Sequence, residues 1–219
     1  MSYSVRVKIC GVTTVEDARQ AVQLGADAIG LNFYPGSPRC VEASMAQAIL
    51  RELPPFVTAV GVFVETPLRQ VYEHIHALGR IHSIQWHGQK HELSDCFPYH
   101  LIAAFPVRDA ASLEAIQRYL DACRAVRRLP SALLLDGHAP GQHGGTGRTA
   151  PWHLLASFQP GVPIILAGGL TPDNVAEAIR IVRPYGVDVA SGVESAPGRK
   201  DVEKMRRFLA HVHAATVGL

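Results

Sequence analysis

The chain has 219 residues, of which 47% are hydrophobic and 18% are charged, and its formal net charge is +2. These proportions exclude an intrinsically disordered chain, because disorder requires low hydrophobicity and high net charge. The length suits one sizeable core, so we expect a single domain over residues 1–219. The basic residues are scattered along the sequence, which argues against a nucleic-acid partner.

The sequence gives no indication of a membrane or of an oxidising compartment. No apolar run reaches the ~18 residues that a membrane span needs, and no signal-peptide pattern precedes the first predicted strand. The cysteines are far apart and form no CxxC pair, which disfavours disulfides and a cysteine zinc site; they are Cys10, Cys40, Cys96 and Cys123. We therefore expect a cytoplasmic protein without a membrane partner.

Apolar, β-rich runs alternate with helical patterns from one end of the chain to the other. In chain order, the patterns predict strand Val5–Ile9, helix Val15–Leu24, strand Ala28–Phe33, helix Ser44–Glu52, strand Thr58–Val64, helix Pro67–Gly79, strand Ile81–Trp86, a weak helical turn near His91–Cys96, strand His100–Phe105, helix Leu113–Arg127, strand Ala132–Leu135, helix Pro151–Phe158, strand Pro163–Leu166, helix Pro172–Arg183, strand Val187–Ala190 and helix Val202–His213. Thr66-Pro67 and Thr171-Pro172 predict helix starts, and Gly25 and Gly79 predict helix ends.

Eight β/α units at a spacing of about 25 residues predict an α/β fold, a single-domain (β/α)8 TIM barrel. Strands that are apolar without alternation, such as Ile164-Ile165-Leu166, are typical of parallel strands covered on both faces. An open doubly wound sheet is the competing architecture, but no G-x-G-x-x-G follows the first strand. The longest loop, Gly137–Ala150, holds four glycines besides Gly137, which favours a mobile loop and a candidate lid.

Two strand ends each offer a proton-transfer group. Asp136 directly follows the apolar run Leu133-Leu134-Leu135, and the first strand ends at Cys10-Gly11. Catalytic groups of such barrels lie at the carboxyl ends of the strands, although an isolated cysteine is more often a small buried hydrophobe and an aspartate there can cap a turn. Lys8 alternates with apolar neighbours, which favours a positioning cation inside the barrel. We expect the pKa of Cys10 to lie below the ~8.5 of a free cysteine, since Lys8 is close in sequence and favours the thiolate if the two side chains converge.

Two glycine loops near the C-terminus predict a phosphate site. Gly168 and Gly169 join a strand to a helix, and Ser191 and Gly192 follow the next strand. Glycines let backbone N–H groups approach an anion closely, and barrels often bind phosphate after strands 7 and 8. The alternative for each glycine pair alone is tight β/α packing.

Arg39 and His87 complete the candidate site. Arg39, in Ser37-Pro38-Arg39 after the second strand, is a candidate clamp for a substrate carboxylate, with a solvated surface arginine as the alternative. His87 ends the fourth strand, where it can line the pocket. The chain has 11 histidines, but strand ends offer only His87 and Asp136 clearly, short of the three converging ligands that a catalytic metal needs. We therefore expect no metal.

Taken together, these motifs resemble those of the phosphoribosylanthranilate isomerase family of tryptophan biosynthesis. The matching pieces run in family order over residues 8–201: Lys8-Ile9-Cys10-Gly11, Phe33-Tyr34 with Ser37-Pro38-Arg39, Gly61-Val62-Phe63-Val64, Gln85-Trp86-His87-Gly88, Leu135-Asp136 with Gly144-Gly145-Thr146-Gly147, Ala167-Gly168-Gly169-Leu170, and Asp188-Val189-Ala190-Ser191-Gly192-Val193-Glu194 with Pro197-Gly198 and Lys200-Asp201. Trp86 stands where the family usually has leucine.

The resemblance implies an Amadori rearrangement of N-(5-phosphoribosyl)anthranilate with Asp136 as the acid and Cys10 as the base. It implies that Arg39 holds the anthranilate carboxylate, that the glycine loops hold the phosphate, and that no metal or redox cofactor is needed. A phosphorylated small molecule is then the partner of a monomer or homodimer. A phosphosugar epimerase, the barrel isomerase of histidine synthesis and a non-catalytic phosphate-binding protein are the alternatives. The cysteine at the first strand argues against the two enzymes, and the presence of Cys10, Asp136 and both glycine loops argues against the non-catalytic protein.

Overall fold

The computed structural model describes residues 4–88, 98–137 and 151–216. In chain order its elements are β1 (Arg6–Cys10), α1 (Val15–Gln23), β2 (Ala28–Asn32), α2 (Ala43–Glu52), β3 (Thr58–Val64), α3 (Leu68–Leu78), β4 (Ser83–His87), β5 (His100–Pro106), α4 (Ala110–Ala125), β6 (Ala132–Asp136), α5 (Trp152–Leu155), β7 (Ile164–Ala167), α6 (Val175–Val182), β8 (Gly186–Val189), a 3-10 turn (Ser191–Val193), β9 (Glu194–Ala196), β10 (Arg199–Lys200) and α7 (Val202–Thr216).

Strands β1 to β8 form a closed barrel in chain order, and every neighbouring pair is parallel. The last strand pairs with the first, with Lys8 opposite Asp188. The predicted (β/α)8 barrel and its eight strands are therefore confirmed, each strand to within two residues. The turn expected near His91–Cys96 and most of the Gly137–Ala150 loop lie outside the described residues.

Side chains of the strands alternate between two hydrophobic layers. In β6, Leu133 and Leu135 pack with the surrounding helices, whereas Leu134 belongs to a separate cluster inside the barrel. That inner cluster also contains Val60, Ile102, Ala104, Ala132, Ile165 and Ala167. Each fully buried aliphatic side chain contributes roughly 1.5–3 kcal/mol. A period of two along each strand thus puts every second residue in the interior of the barrel.

The helix ends predicted at Gly25 and Gly79 are confirmed. The helix starts predicted at Thr66-Pro67 and Thr171-Pro172 are wrong in detail. Gly79 ends α3 in the left-handed conformation, φ 80°, and its N–H donates to the Ile75 carbonyl. The Thr66 hydroxyl donates to the Val64 carbonyl instead of capping α3. Helix α6 begins at Val175 rather than Pro172, because the Asn174 side chain accepts from the Thr171 N–H and donates to the Gly169 carbonyl. This bonding holds residues 172–174 in a turn.

Across the described residues, no helix combines the length and apolarity needed to cross a bilayer.

Candidate active site

The two candidate proton-transfer groups lie at the same end of the barrel. Cys10 is the last residue of β1 and Asp136 is the last residue of β6. Because the strands are parallel, their carboxyl ends meet at one mouth. Cys10 is 8% exposed and Asp136 is half-buried. The strand-end placement predicted from the sequence is therefore confirmed, and the chemical roles of the two residues stay predictions.

The Lys8 ammonium is buried in the barrel interior, as predicted. It forms an ion pair with Asp188 (Nζ–Oδ1 2.7 Å) and donates to Gln85 Oε1 at 2.8 Å. A Cβ atom built on Gly30 would lie 3.0 Å from Lys8 Nζ and 2.9 Å from Cys10 Sγ. The missing side chain at Gly30 therefore leaves the space in which the ammonium and the thiol approach each other.

The expected low pKa of the Cys10 thiol is wrong. Burial is the largest influence and raises the pKa of Cys10 above its usual value, and the Asp188 carboxylate acts in the same direction. Lys8 and Lys200 lower the pKa, but by less. Sequence proximity to Lys8 identified a real interaction, but it could not show that burial outweighs it. The thiol is therefore protonated at neutral pH.

His87 is a neutral side chain at the end of β4. Its Nε2 atom lies 2.8 Å from Gln85 Nε2. Burial and the nearby Lys8 ammonium lower the pKa of His87 to about 4, although Asp188 acts in the opposite direction. The imidazole therefore carries no charge at neutral pH and can act as a hydrogen-bond donor or acceptor at the mouth.

Arg39 is tied to a buried carboxylate rather than solvated. Its Nε and Nη2 atoms donate to the two Glu194 carboxylate oxygens at 2.8 and 2.7 Å. Its stem crosses Gly11, where a Cβ atom would lie 2.5 Å from Arg39 Cδ. Glu194 therefore uses Nε–H and one N–H of Nη2, and a substrate carboxylate can accept from the Nη1 N–H groups and the second N–H of Nη2, or displace Glu194.

Lys200 joins Glu194 to the end of β1. Its fully buried Nζ atom donates to Glu194 Oε1 at 2.8 Å and to the Cys10 carbonyl at 2.6 Å. Burial alone would raise the pKa of Glu194, but hydrogen bonds from Arg39 and Lys200 lower it. The carboxylate is therefore ionised and fixed between two cations, which holds the loops after β2 and β8 against β1.

The two glycine loops lie against each other at the same mouth. Gly168 and Gly169 both have positive φ, 90° and 66°, which side chains rarely allow. A Cβ atom on Gly192 would lie only 1.9 Å from the Leu170 carbonyl oxygen. Within the described chain, the N–H groups of Gly169 and Gly192 have no hydrogen-bond partner. Together with the exposed Ser191, they form a surface of free backbone donors that suits an anion.

Sequence analysis assigned no role to several residues around the site, all but the first of which stand in the matching motifs: Gly30, Gln85, Asp188, Glu194 and Lys200. Polar residues at inward positions of apolar strands, as in Val187-Asp188-Val189, were the available signal. Trp86 faces away from the interior, and its indole N–H donates to the Thr66 carbonyl, so it does not shape the pocket. Among the described residues, no three His, Cys, Asp or Glu side chains are grouped to hold a metal; His138 and His143 lie outside them.

Comparisons with known proteins agree on one family. The family model for N-(5'-phosphoribosyl)anthranilate (PRA) isomerase matches residues 7–211. The N-(5'-phosphoribosyl)anthranilate isomerase of Geobacter metallireducens is 47% identical over 211 residues, which are 96% of this chain and 100% of that protein.

Solved structures give the same result. A phosphoribosyl anthranilate isomerase in complex with reduced 1-(o-carboxyphenylamino)-1-deoxyribulose 5-phosphate is 34% identical, with a TM-score of 0.82 and coverage of 96% of this chain and 99% of that chain. A structure of mutually generated monomers of the dimeric enzyme from Thermotoga maritima is 33% identical, with a TM-score of 0.81 and the same coverage. This chain therefore belongs to the N-(5'-phosphoribosyl)anthranilate isomerase family.

Proposed function

We propose that this chain catalyses the Amadori rearrangement of N-(5-phosphoribosyl)anthranilate to 1-(2-carboxyphenylamino)-1-deoxyribulose 5-phosphate in tryptophan biosynthesis. The observation that carries the proposal is the family match over residues 7–211, which includes the thiol and the carboxylate at the barrel mouth. The test is loss of the anthranilate fluorescence of the substrate with purified protein. Wild-type protein that leaves this fluorescence unchanged would contradict the proposal.

Asp136 is proposed as the general acid of the first step. Its carboxylic acid gives a proton to the furanose ring oxygen, the C1'–O bond breaks, and the nitrogen lone pair forms a cationic Schiff base. The carboxylate left behind stabilises that cation. Its position at the end of β6, at the same mouth of the barrel as Cys10, supports this role, because a general acid must lie within reach of the atom that it protonates.

Cys10 is proposed as the base of the second step. It removes the C2' proton, and the C–H electron pair forms the enolamine and neutralises the Schiff base. The enol hydroxyl then loses its proton and C1' gains one, which gives the ketone. The positive Schiff base adds to the Lys8 and Lys200 charges that already lower the pKa of the buried thiol. The charge of the substrate can therefore add to the stabilisation of the thiolate.

Substrate binding is proposed for the polar groups around this pair. Lys8 and His87 face the mouth from the barrel interior, and Arg39 is proposed to bind the anthranilate carboxylate through the N–H groups of Nη1 and Nη2 that do not bond to Glu194. The backbone N–H groups of the two glycine loops, Gly168, Gly169, Ser191 and Gly192, are proposed to bind the phosphate. The positive φ values of Gly168 and Gly169 support this assignment, as do the N–H groups of Gly169 and Gly192, which have no partner within the described chain.

We further propose that residues 1–219 act as one domain in the cytoplasm, with a phosphorylated small molecule as substrate and no nucleic-acid or membrane partner. The barrel that β8 closes against β1 supports a single domain. The free thiols of Cys10, Cys40 and Cys123 support a reducing compartment.

Of a monomer and a homodimer, we propose the homodimer. Phe56 is 97% exposed and borders a cavity of about 610 Å³ at the amino end of the strands, lined by apolar residues that include Val60, Ile102 and Ile165. A two-fold axis on this face would insert each Phe56 into the partner's cavity. Light scattering should give a dimer mass for wild type and a monomer mass for Phe56→Glu. A wild-type monomer at every concentration would contradict the homodimer.

A further inference from the structure

The polar residues inside the barrel form one hydrogen-bonded chain. Asp188 accepts from Lys8 at 2.7 Å, Lys8 donates to Gln85 Oε1 at 2.8 Å, and the Gln85 amide nitrogen lies 2.8 Å from His87 Nε2. The Gln85 residue as a whole is only 2% exposed. The chain runs from a charged pair at the β1–β8 seam to the side chain at the end of β4. None of the proposed catalytic steps uses Gln85.

The direction of each bond in this chain is fixed by chemistry. An ammonium group only donates, so the Gln85 atom facing Lys8 is its carbonyl oxygen. The Gln85 amide nitrogen then faces His87, and an amide nitrogen also only donates. His87 Nε2 must therefore accept, because two donors in contact would leave a buried polar group unsatisfied.

An accepting Nε2 atom determines which ring nitrogen of the neutral imidazole carries the proton. In a neutral histidine one ring nitrogen carries the proton and the other does not. With Nε2 unprotonated, the proton of His87 lies on Nδ1. Within the described chain Gln85 is the single hydrogen-bond partner of the His87 ring, so the Nδ1–H group is left as a donor at the mouth of the barrel.

We propose that Gln85 is a positioning residue that fixes His87 as the Nδ1–H tautomer, so that Nδ1–H donates to an oxygen of the bound substrate. The use of this donor rests on the proposed function, whereas the tautomer itself does not. The charged pair of Lys8 and Asp188 sets the orientation of the Gln85 amide. A charge pair on one side of the barrel thereby selects which His87 nitrogen meets the substrate.

Nitrogen NMR of histidine-labelled enzyme tests the tautomer without substrate. The two ring nitrogens of His87, assigned through the signals lost in His87→Gln, should show a protonated Nδ1 and an unprotonated Nε2 at pH 7.5. In Gln85→Glu a carboxylate replaces the donor and still accepts from Lys8, so His87 Nε2 should become protonated. A protonated Nε2 in wild type, or an unprotonated Nε2 in Gln85→Glu, would overturn the proposal.

Kinetics tests whether the donor serves the substrate. Gln85→Met removes the amide without adding charge near Cys10, and kcat/KM should fall about fivefold, the equivalent of one hydrogen bond. Ser83→Ala is the matched control, because Ser83 is buried on the same strand two residues earlier, and its kcat/KM should change less than twofold. An unchanged kcat/KM in Gln85→Met would refute the positioning role. An inactive wild type would instead refute the proposed function and leave the NMR result standing.

Discussion

Gly30→Ala should inactivate the enzyme through a steric effect on two side chains that it does not replace. The added Cβ atom would lie 2.9 Å from Cys10 Sγ, 3.0 Å from Lys8 Nζ and 3.1 Å from the Cys10 Cα atom. All three distances are shorter than ordinary contacts, and the last involves backbone that cannot turn aside. The thiol and the ammonium must therefore move, together with the end of β1.

The size of the effect follows from these overlaps. Overpacking a core by one methyl group costs about 1–3 kcal/mol of stability. A displacement of about 1 Å at a reacting group can lower the rate about 100-fold. We expect Gly30→Ala to fold, to lose about 1–3 kcal/mol in a denaturant titration, and to lose about 100-fold in kcat.

Gly61→Ala is the control that separates the two effects. Its Cβ atom would also meet a side chain at 2.9 Å, but that atom belongs to the outward-facing Phe63 ring. The stability loss should be similar and kcat should stay within about twofold, since no reacting group moves. Equal losses of kcat in Gly30→Ala and Gly61→Ala, or a normal kcat in Gly30→Ala, would refute the reasoning.

Four further predictions follow from the site. Asp136→Asn should fold but lose roughly 10²–10⁴-fold in kcat, because an amide cannot protonate the ring oxygen; a variant that retains half of wild-type kcat would exclude the acid role. The raised pKa of Cys10 predicts that kcat/KM increases with pH through a value above that of a free cysteine, and a plateau already reached at pH 7 would contradict this. The pKa of His87 is about 4 in the folded protein and ~6.5 in the unfolded chain, so its contribution to the free energy of unfolding is fully present above pH 6.5. About 3 kcal/mol of that free energy should be lost as the pH falls to 4. Denaturant titrations at the two pH values should show a smaller loss in His87→Gln than in wild type. Gly192→Ala and Gly169→Ala should both raise KM, and Gly192→Ala should raise it more, because its Cβ atom meets backbone at 1.9 Å whereas Gly169 has nothing within 4 Å and is strained only by its positive φ; wild-type KM values in both variants would argue against the phosphate loops.

The sequence predicted the barrel because strands and helices alternate with strong local patterns. Apolar runs such as Ile164-Ile165-Leu166 identify parallel strands without any knowledge of their partners. Helix starts were less predictable. The side chain of Asn174 bonds to Thr171 and Gly169 in a turn, and nothing in the Thr171-Pro172 pair distinguishes this turn from the first turn of a helix.

The sequence predicted which residues lie at the strand ends of the site, but it did not predict which side chains they contact. Cys10 and Asp136 could be found because each follows an apolar run. The contacts of Glu194 and Lys200 could not be predicted, because Glu194 contacts Arg39 across 155 positions and Lys200 contacts Cys10 across 190 positions. The direction of the pKa shift of Cys10 could not be predicted from the sequence either, since it depends on how completely the folded protein excludes water from the thiol.

The pairing of the first strand with the last sets the order in which the protein can mature. Strand β1 leaves the ribosome first, yet its β8 edge, including the Lys8–Asp188 bond across 180 positions, cannot form until β8 has been synthesised. Until then β1 presents unpaired backbone groups that can pair with other chains. Lys200, which holds the Cys10 carbonyl, arrives later still. A nascent chain that stops before this lysine therefore carries every strand of the barrel but lacks the bond that fixes its thiol.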